Sequence, residues 1–297
     1  MKKVILVAGG TGNLGTRIVN ALLARNAKVC MVVRSGSDEE KLQSFKDHGV
    51  TIFEEDMMNK EEVAEACKGV SCIVSALQGL LEVVVDIQQV LLDAAVAAGV
   101  PRFIPSDFSS DFTRLPAGEN RNFDLRKEFH KQLDNAPIRA TSIFNGAFTD
   151  ILTYNTPVLN LKEKIIGYWG DNPEVPLDFT TMDDTAAFTA EAALDNTTPK
   201  SLSIASFQIS PKQLLFEASD ATGTTFSIMP IGELEKFSQQ INMQRTQNPA
   251  GENELFPAWQ GLQYIHGMFS VHHQTLDNNR YPDLKWTTAR EFIISIV

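Results

Sequence analysis

The chain has 297 residues, 43% hydrophobic and 21% charged, with a formal net charge of −11. That is the composition of a globular protein long enough for one large core or two adjoining ones. The acidity argues against nucleic acid or an anionic membrane as partner. No apolar run approaches the roughly 20 residues of a membrane-spanning helix. Cys30, Cys67 and Cys72 are an odd number in or beside apolar segments. They predict reduced thiols in a cytoplasmic protein, and no cysteine–histidine spacing predicts a metal. The N-terminus enters an apolar segment at once, so no signal peptide is expected.

Residues 3–8 form an apolar run of strand length, and Gly9, Gly12 and Gly15 follow at G-x-x-G-x-x-G spacing. From Asn13 the pattern turns helical through Leu14, Ile18, Ala21 and Leu22. Strand, glycine turn and helix together are the context a dinucleotide fingerprint needs. Gly9 lets the chain turn off the strand, Gly12 lets the backbone approach a pyrophosphate, and Gly15 lets the helix pack close to the sheet. The helix N-terminus then offers N–H groups to the phosphates. The plainer alternative is a tight turn before a buried helix.

A second strand, residues 28–33, ends at Arg34 and Ser35. Strand two meets the adenosine ribose in this kind of fold, and an acid there would bind the 2′-hydroxyl of NAD. Arg34 with Ser35 instead suits a 2′-phosphate, and Lys41 adds a second cation, so NADP(H) is preferred over NAD(H). Asp38 keeps an NAD reading open. Helices are predicted over 41–48, 60–68, 82–98 and 122–133, and strands over 50–54, 72–76, 102–105 and 139–145. Ser75 and Ala76 would end a strand at the sheet's C-terminal edge, where ligands bind. This alternation predicts an α/β fold with a doubly wound parallel sheet of the Rossmann type. It forms a dinucleotide-binding domain over residues 1–152.

After Asn145 the alternation breaks. Residues 153–297 are read as a smaller α+β substrate-covering region that shares its core with the sheet, the chain recrossing the first domain at about 180–206. Phe144, Phe148 and Trp169 follow the sixth strand's C-terminal end and are the candidates for a substrate pocket. Asp183 and Asp184 predict a helix cap over 183–195. Ser210-Pro211 predicts another helix start, and residues 225–229 a strand. His266, His272 and His273 carry no metal-binding pattern: adjacent helical residues point about 100° apart.

The stretches V-V-R-S-G-S-D-E-E-K, G-V-T-I-F-E-E-D and R-F-I-P-S-D-F, with R-Y-P-D-L-K-W-T-T-A-R-E-F near the C-terminus, resemble the isoflavone reductase-like proteins. Those proteins form part of the NmrA-like, atypical branch of the short-chain dehydrogenase/reductases. The resemblance implies NADPH binding by Gly9, Thr11, Gly12, Asn13, Leu14, Arg34 and Lys41. It also implies that Ser106, Asp107 and Phe108 line the nicotinamide end. The Tyr-x-x-x-Lys pair of typical members occurs only as Tyr281 to Lys285, where Pro282 would break a helix. The isoflavone reductase-like proteins carry instead a lysine before the sixth strand. Counted back from Thr141, Arg126 holds that position and Lys127 follows it. A lysine can be depressed by burial and exchange protons, whereas an arginine only donates hydrogen bonds. Arg126 facing the cofactor as an electrostatic clamp is the expectation, with Lys127 as the acid if the helix is rotated, and a solvated basic face as the plain alternative. The function expected is reduction of a small, aromatic or carbonyl-bearing substrate. The rival is a redox sensor that binds NAD(P) without turnover and signals to a protein partner.

Overall fold

The computed structural model describes residues 3–297. The chain divides into two compact units. One runs up to Asp107 and takes in Asn122–Ile143 and Thr185–Leu202; the other comprises Phe108–Arg121, Phe144–Asp184 and Ser203–Val297.

In the first unit, six strands form one sheet: β1 (Val4–Ala8), β2 (Lys28–Val33), β3 (Thr51–Glu54), β4 (Cys72–Ser75), β5 (Arg102–Ile104) and β6 (Arg139–Ala140). Their order is β3-β2-β1-β4-β5-β6, and every pair is parallel. A parallel sheet is covered on both faces, which is why β1 and β4 are unbroken apolar runs rather than alternating ones. Helices α1 (Asn13–Ala24), α2 (Glu39–Asp47), α3 (Lys60–Ala66), α4 (Gln88–Ala97) and α5 (Arg121–Leu133) intervene. Leu6, Ile73 and Phe103 of the sheet share a core with Val63, Leu91, Leu92, Ala95 and Phe129 of the helices. The doubly wound sheet read from the sequence is thus present.

Local chemistry explains several boundaries. Asp38 accepts the Lys41 N–H and caps α2, and Asn59 accepts two N–H groups at the start of α3. The single helix predicted over 82–98 is two: a π-helical turn, Glu82–Ile87, runs into α4. Gly79 permits it, because a Cβ there would lie 2.3 Å from the Cβ of Val83. The sixth strand is shorter than predicted. Thr141 donates its N–H to Phe103, and its hydroxyl meets Thr198 and Pro199. Ser142 then turns to the Lys200 carbonyl, so β7 (Ser142–Phe144) pairs not with the sheet but with β11 (Ser201–Ser203).

In the second unit, β8 (Ala147–Phe148), β10 (Leu177–Thr180) and β12 (Phe207–Ile209) form a three-stranded sheet. β9 (Ile165–Trp169) pairs in parallel with β13 (Ser227–Gly232). α6 (Met182–Leu194) opens after Thr181, whose hydroxyl accepts the Asp184 N–H. The cap is therefore Thr181, and Asp183 and Asp184 occupy the first turn, where acids complement the helix dipole. α7 (Pro211–Thr222) carries the predicted start, with a Ser210–Gln213 capping box. α8 (Leu234–Gln247), α9 (Ala258–Ser270) and α10 (Ala289–Ile296) complete the unit. Leu152, Ile166, Phe179, Phe237 and Trp259 lie in its core. Among the described residues no helix is long and apolar enough to cross a membrane.

Candidate functional site

The sheet order reverses between β1 and β4, the point where such sheets take ligands beyond their C-terminal ends. The glycine loop sits there. Gly9 has φ +78°, and a Cβ on it would stand 2.6 Å from the Ala76 carbonyl oxygen past β4. Gly12 donates to Gly9 at 3.0 Å. A Cβ on Gly15 would stand 2.1 Å from the Gly9 carbonyl oxygen, so this glycine lets α1 close on the loop itself. Gly12 is the N-cap of α1 and supplies no side-chain acceptor, and the first turn holds no acid. That leaves the turn open to an anion. Thr16 bonds the Gly10 carbonyl at 3.1 Å, and the Asn13 side chain takes a hydrogen bond from Arg17.

Arg34 and Ser35 follow β2 directly and are exposed. The Lys41 ammonium donates to the Thr11 carbonyl, which brings that cation to the glycine loop across 30 residues of sequence. Asp38, the residue that kept an NAD reading open, spends its carboxylate on capping α2.

Ser75, at the end of β4, is fully buried and its hydroxyl has no protein partner. Ala76 donates to Ala8 at 2.8 Å. Past β5, Ser106 donates its N–H to Gln88 Oε1 at 3.0 Å and its hydroxyl to the Leu77 carbonyl at 2.7 Å. Its own carbonyl receives Arg126 Nε at 3.0 Å. Arg126 also donates to Asn122 at 2.9 Å, so both bonds of its guanidinium are to backbone oxygens. Lys127 lies round the helix and pairs with Asp124 at 3.2 Å. The fully buried Asp107 carboxylate meets His130 Nε2 at 2.7 Å. Burial disfavours the imidazolium, but the hydrogen bond and charge of Asp107, helped by Asp134 against Lys200, outweigh it and raise the His130 pKa.

Phe108 belongs to the second unit and is buried. Phe144 is buried there edge-on against Phe112, with ring centres 5.4 Å apart. Phe148 is partly exposed at the end of β8. Trp169 stacks on Phe237 at 4.5 Å inside that unit's core. Tyr281 and Lys285 lie outside any helix, and His273 follows α9 rather than lying in it, its N–H on Asp178.

Three residues escaped the sequence reading. Gln88 was legible as a polar residue on the inward stripe of Val84, Leu91 and Ala95. His130 was legible as the residue one turn, four positions, beyond Arg126. Asn145, fully buried with neither amide atom bonded, carried no sequence signal.

The parallel sheet, with the glycine loop at its switch point, defines a dinucleotide-binding α/β protein. Residues 1–293 match the NmrA-like family, and the chain belongs to it. Pinoresinol reductase 2 of Arabidopsis thaliana is 28% identical, over 98% of this chain and 96% of its own. An isoflavone reductase homolog of Lupinus albus is 27% identical, over 89% of this chain and 83% of its own. The solved structure of AtPrR2 with NADP+ and (+)-pinoresinol superposes with a TM-score of 0.80 at 25% identity, covering 100% of this chain and 99% of that one.

Proposed function

We propose that the protein is an NADPH-dependent reductase of a small aromatic or carbonyl-bearing substrate, of the isoflavone reductase-like type. The observation that carries the reading is the glycine cradle at β1–α1, with Lys41 bonded to its Thr11 carbonyl and Arg34 exposed at the end of β2. Side chains at Gly9 or Gly15 would collide with backbone, and the first turn of α1 has neither a capping side chain nor an acid. The residues present therefore fit an NADP(H) pyrophosphate and 2′-phosphate. Similarity to reductases, one of them solved with NADP+ and pinoresinol, supports the same reading.

When bound, NADPH supplies the hydride. Gly9, Gly12 and the first turn of α1 hold the phosphates, with Thr11, Asn13 and Leu14 forming the loop around them. Arg34 with Ser35 takes the 2′-phosphate, and Lys41 adds charge there. Ser75, Ala76 and Ser106 border the edge where the nicotinamide end belongs, with Asp107 holding His130 behind them. Arg126, a permanent cation anchored by two carbonyls, donates hydrogen bonds where negative charge develops on the substrate. Because a guanidinium keeps its protons, the proton comes from water or from the substrate. Among the aromatic candidates Phe148 alone is left partly exposed, whereas Phe144 and Trp169 are buried. The free thiols suit a reducing, cytoplasmic setting, burial pushing Cys67 up to about 12 and Cys72 up to about 11.

Titration of NADPH and NADH by protein fluorescence tests the reading. A charge-assisted bond to the 2′-phosphate is worth about 1.5–3 kcal/mol, roughly ten- to a hundredfold in affinity. NADPH should bind tighter by that factor and Arg34→Ala should erase the difference. Equal affinities in the native protein would sink the idea. NADPH that binds but is never oxidised by any acceptor would leave the sensor.

A further inference from the structure

We propose that Gln88 is a positioning residue for the reductase, setting through Ser106 where the Arg126 guanidinium stands; this rests on the reductase reading above. Gln88 is completely buried. Burying a carboxamide is costly unless both its ends are bonded. Both ends are used: Nε2 donates to the Val84 carbonyl in the π-helical turn at 2.9 Å, and Oε1 accepts the Ser106 N–H at 3.0 Å. One side chain thus ties the helix that follows β4 to the turn that follows β5.

That turn is tight, for the Asp107 N–H folds back onto the Pro105 carbonyl at 2.9 Å around Ser106. Ser106 is held on every side: N–H on Gln88, hydroxyl on Leu77, carbonyl under Arg126 Nε. The other bond of Arg126 is to Asn122 on its own helix. The Ser106 carbonyl is therefore the one anchor that fixes the guanidinium relative to the sheet edge. Without the Gln88 acceptor the Ser106 N–H is left buried and unpaired, the turn relaxes, and the carbonyl under Arg126 moves with it.

The test is a double-mutant cycle of Gln88→Met and Arg126→Met. The readouts are single-turnover oxidation of bound NADPH, NADPH affinity and melting temperature. The acceptors are pinoresinol, an isoflavone and a para-quinone, and the fastest serves for the cycle. Gln88→Met should slow oxidation by about ten- to a hundredfold, the scale for a displaced catalytic group, with NADPH affinity unchanged. In the Arg126→Met background it should cost nothing further, since coupled residues are non-additive. Gln88→Glu keeps an acceptor for Ser106 and should recover most of the rate. Equal losses in both backgrounds, or rates that merely follow melting temperature across Gln88→Met and Gln88→Glu, overturn the proposal and leave the reductase reading intact. If Gln88→Met does not fold, Gln88→Glu serves instead: a rate near the native one supports the role, and a loss that persists beside Arg126→Met refutes it. If no acceptor oxidises bound NADPH, the reductase reading falls and this proposal with it.

Discussion

In the first unit several buried polar side chains bond to protein partners, the Ser75 hydroxyl excepted. Arg102 donates to the Ala192 and Ala193 carbonyls and to the Thr198 hydroxyl at 2.7–3.0 Å. Gln88 uses both ends of its amide, and Asp107 meets His130. In the second unit, Trp259 Nε1, Gln260 Oε1, Gln263 Nε2 and both amide atoms of Asn145 are buried without a protein partner. Others there are paired: Arg121 donates to the carbonyls of Gly251, Glu252, Glu254 and Leu255, Asp178 accepts from Gln208 and the His273 N–H, and the Thr180 hydroxyl donates to the Asn145 carbonyl. A buried group left unpaired costs about 1–3 kcal/mol. The bonded side chains therefore fix the loops they hold, whereas the Asn145 amide, with neither end paired, can be removed without losing a bond.

The contrast breaks or sharpens in four ways. The largest effect belongs to the glycine loop. Gly15→Val places carbon against the Gly9 carbonyl and should weaken NADPH binding by about a hundredfold or more, near 2.7 kcal/mol. A fluorescence titration reads it, with a thermal melt to separate a displaced loop from a lost fold. Retained affinity would mean the loop is far more plastic than its contacts allow.

Next comes Arg102→Met, which strips two carbonyls and a hydroxyl of their donor. It should cost about 2–4 kcal/mol of stability, measured by denaturant unfolding. The matching change in the second unit, Asn145→Leu, should be neutral or stabilising by up to about 1 kcal/mol, since it removes an amide with no partner. If both variants lose stability alike, the difference between the units disappears.

The smallest effect is a pH dependence. The folded-state pKa of His130 is raised above its ordinary value of about 6.5. Its pairing with Asp107 therefore contributes stability that is fully present below about pH 6.5 and lost as pH rises through the raised value. His130→Phe should flatten that part of the stability–pH curve. An unchanged curve would show that the pair titrates identically in the folded and unfolded chain.

The sheet was readable because its signals are local. The run of β1, the turn at Gly9 and the stripe of α1 lie within about 20 residues, and β-α alternation then restricts the topology to a few choices. The same locality made the Ser210 cap legible. It also misled: Asp183 and Asp184 have the composition of a cap, yet the oxygen that captures the helix N–H is one turn earlier, on Thr181.

The amino-acid sequence by itself determined the parallel sheet, the glycine cradle and the charge at the end of β2, because strand period, helix period and glycine's freedom act between near neighbours. Tertiary structure decided the rest. It ended β6 because the Ser142 N–H leaves the sheet for the Lys200 carbonyl, nearly 60 positions on. It paired β10 with β8 and β12, and β9 with β13. It set Gln88 against Ser106 across 18 residues and Asp107 against His130 across 23. Those partners are chosen by which polar groups burial leaves facing one another, and that follows only once remote segments have closed around a common core.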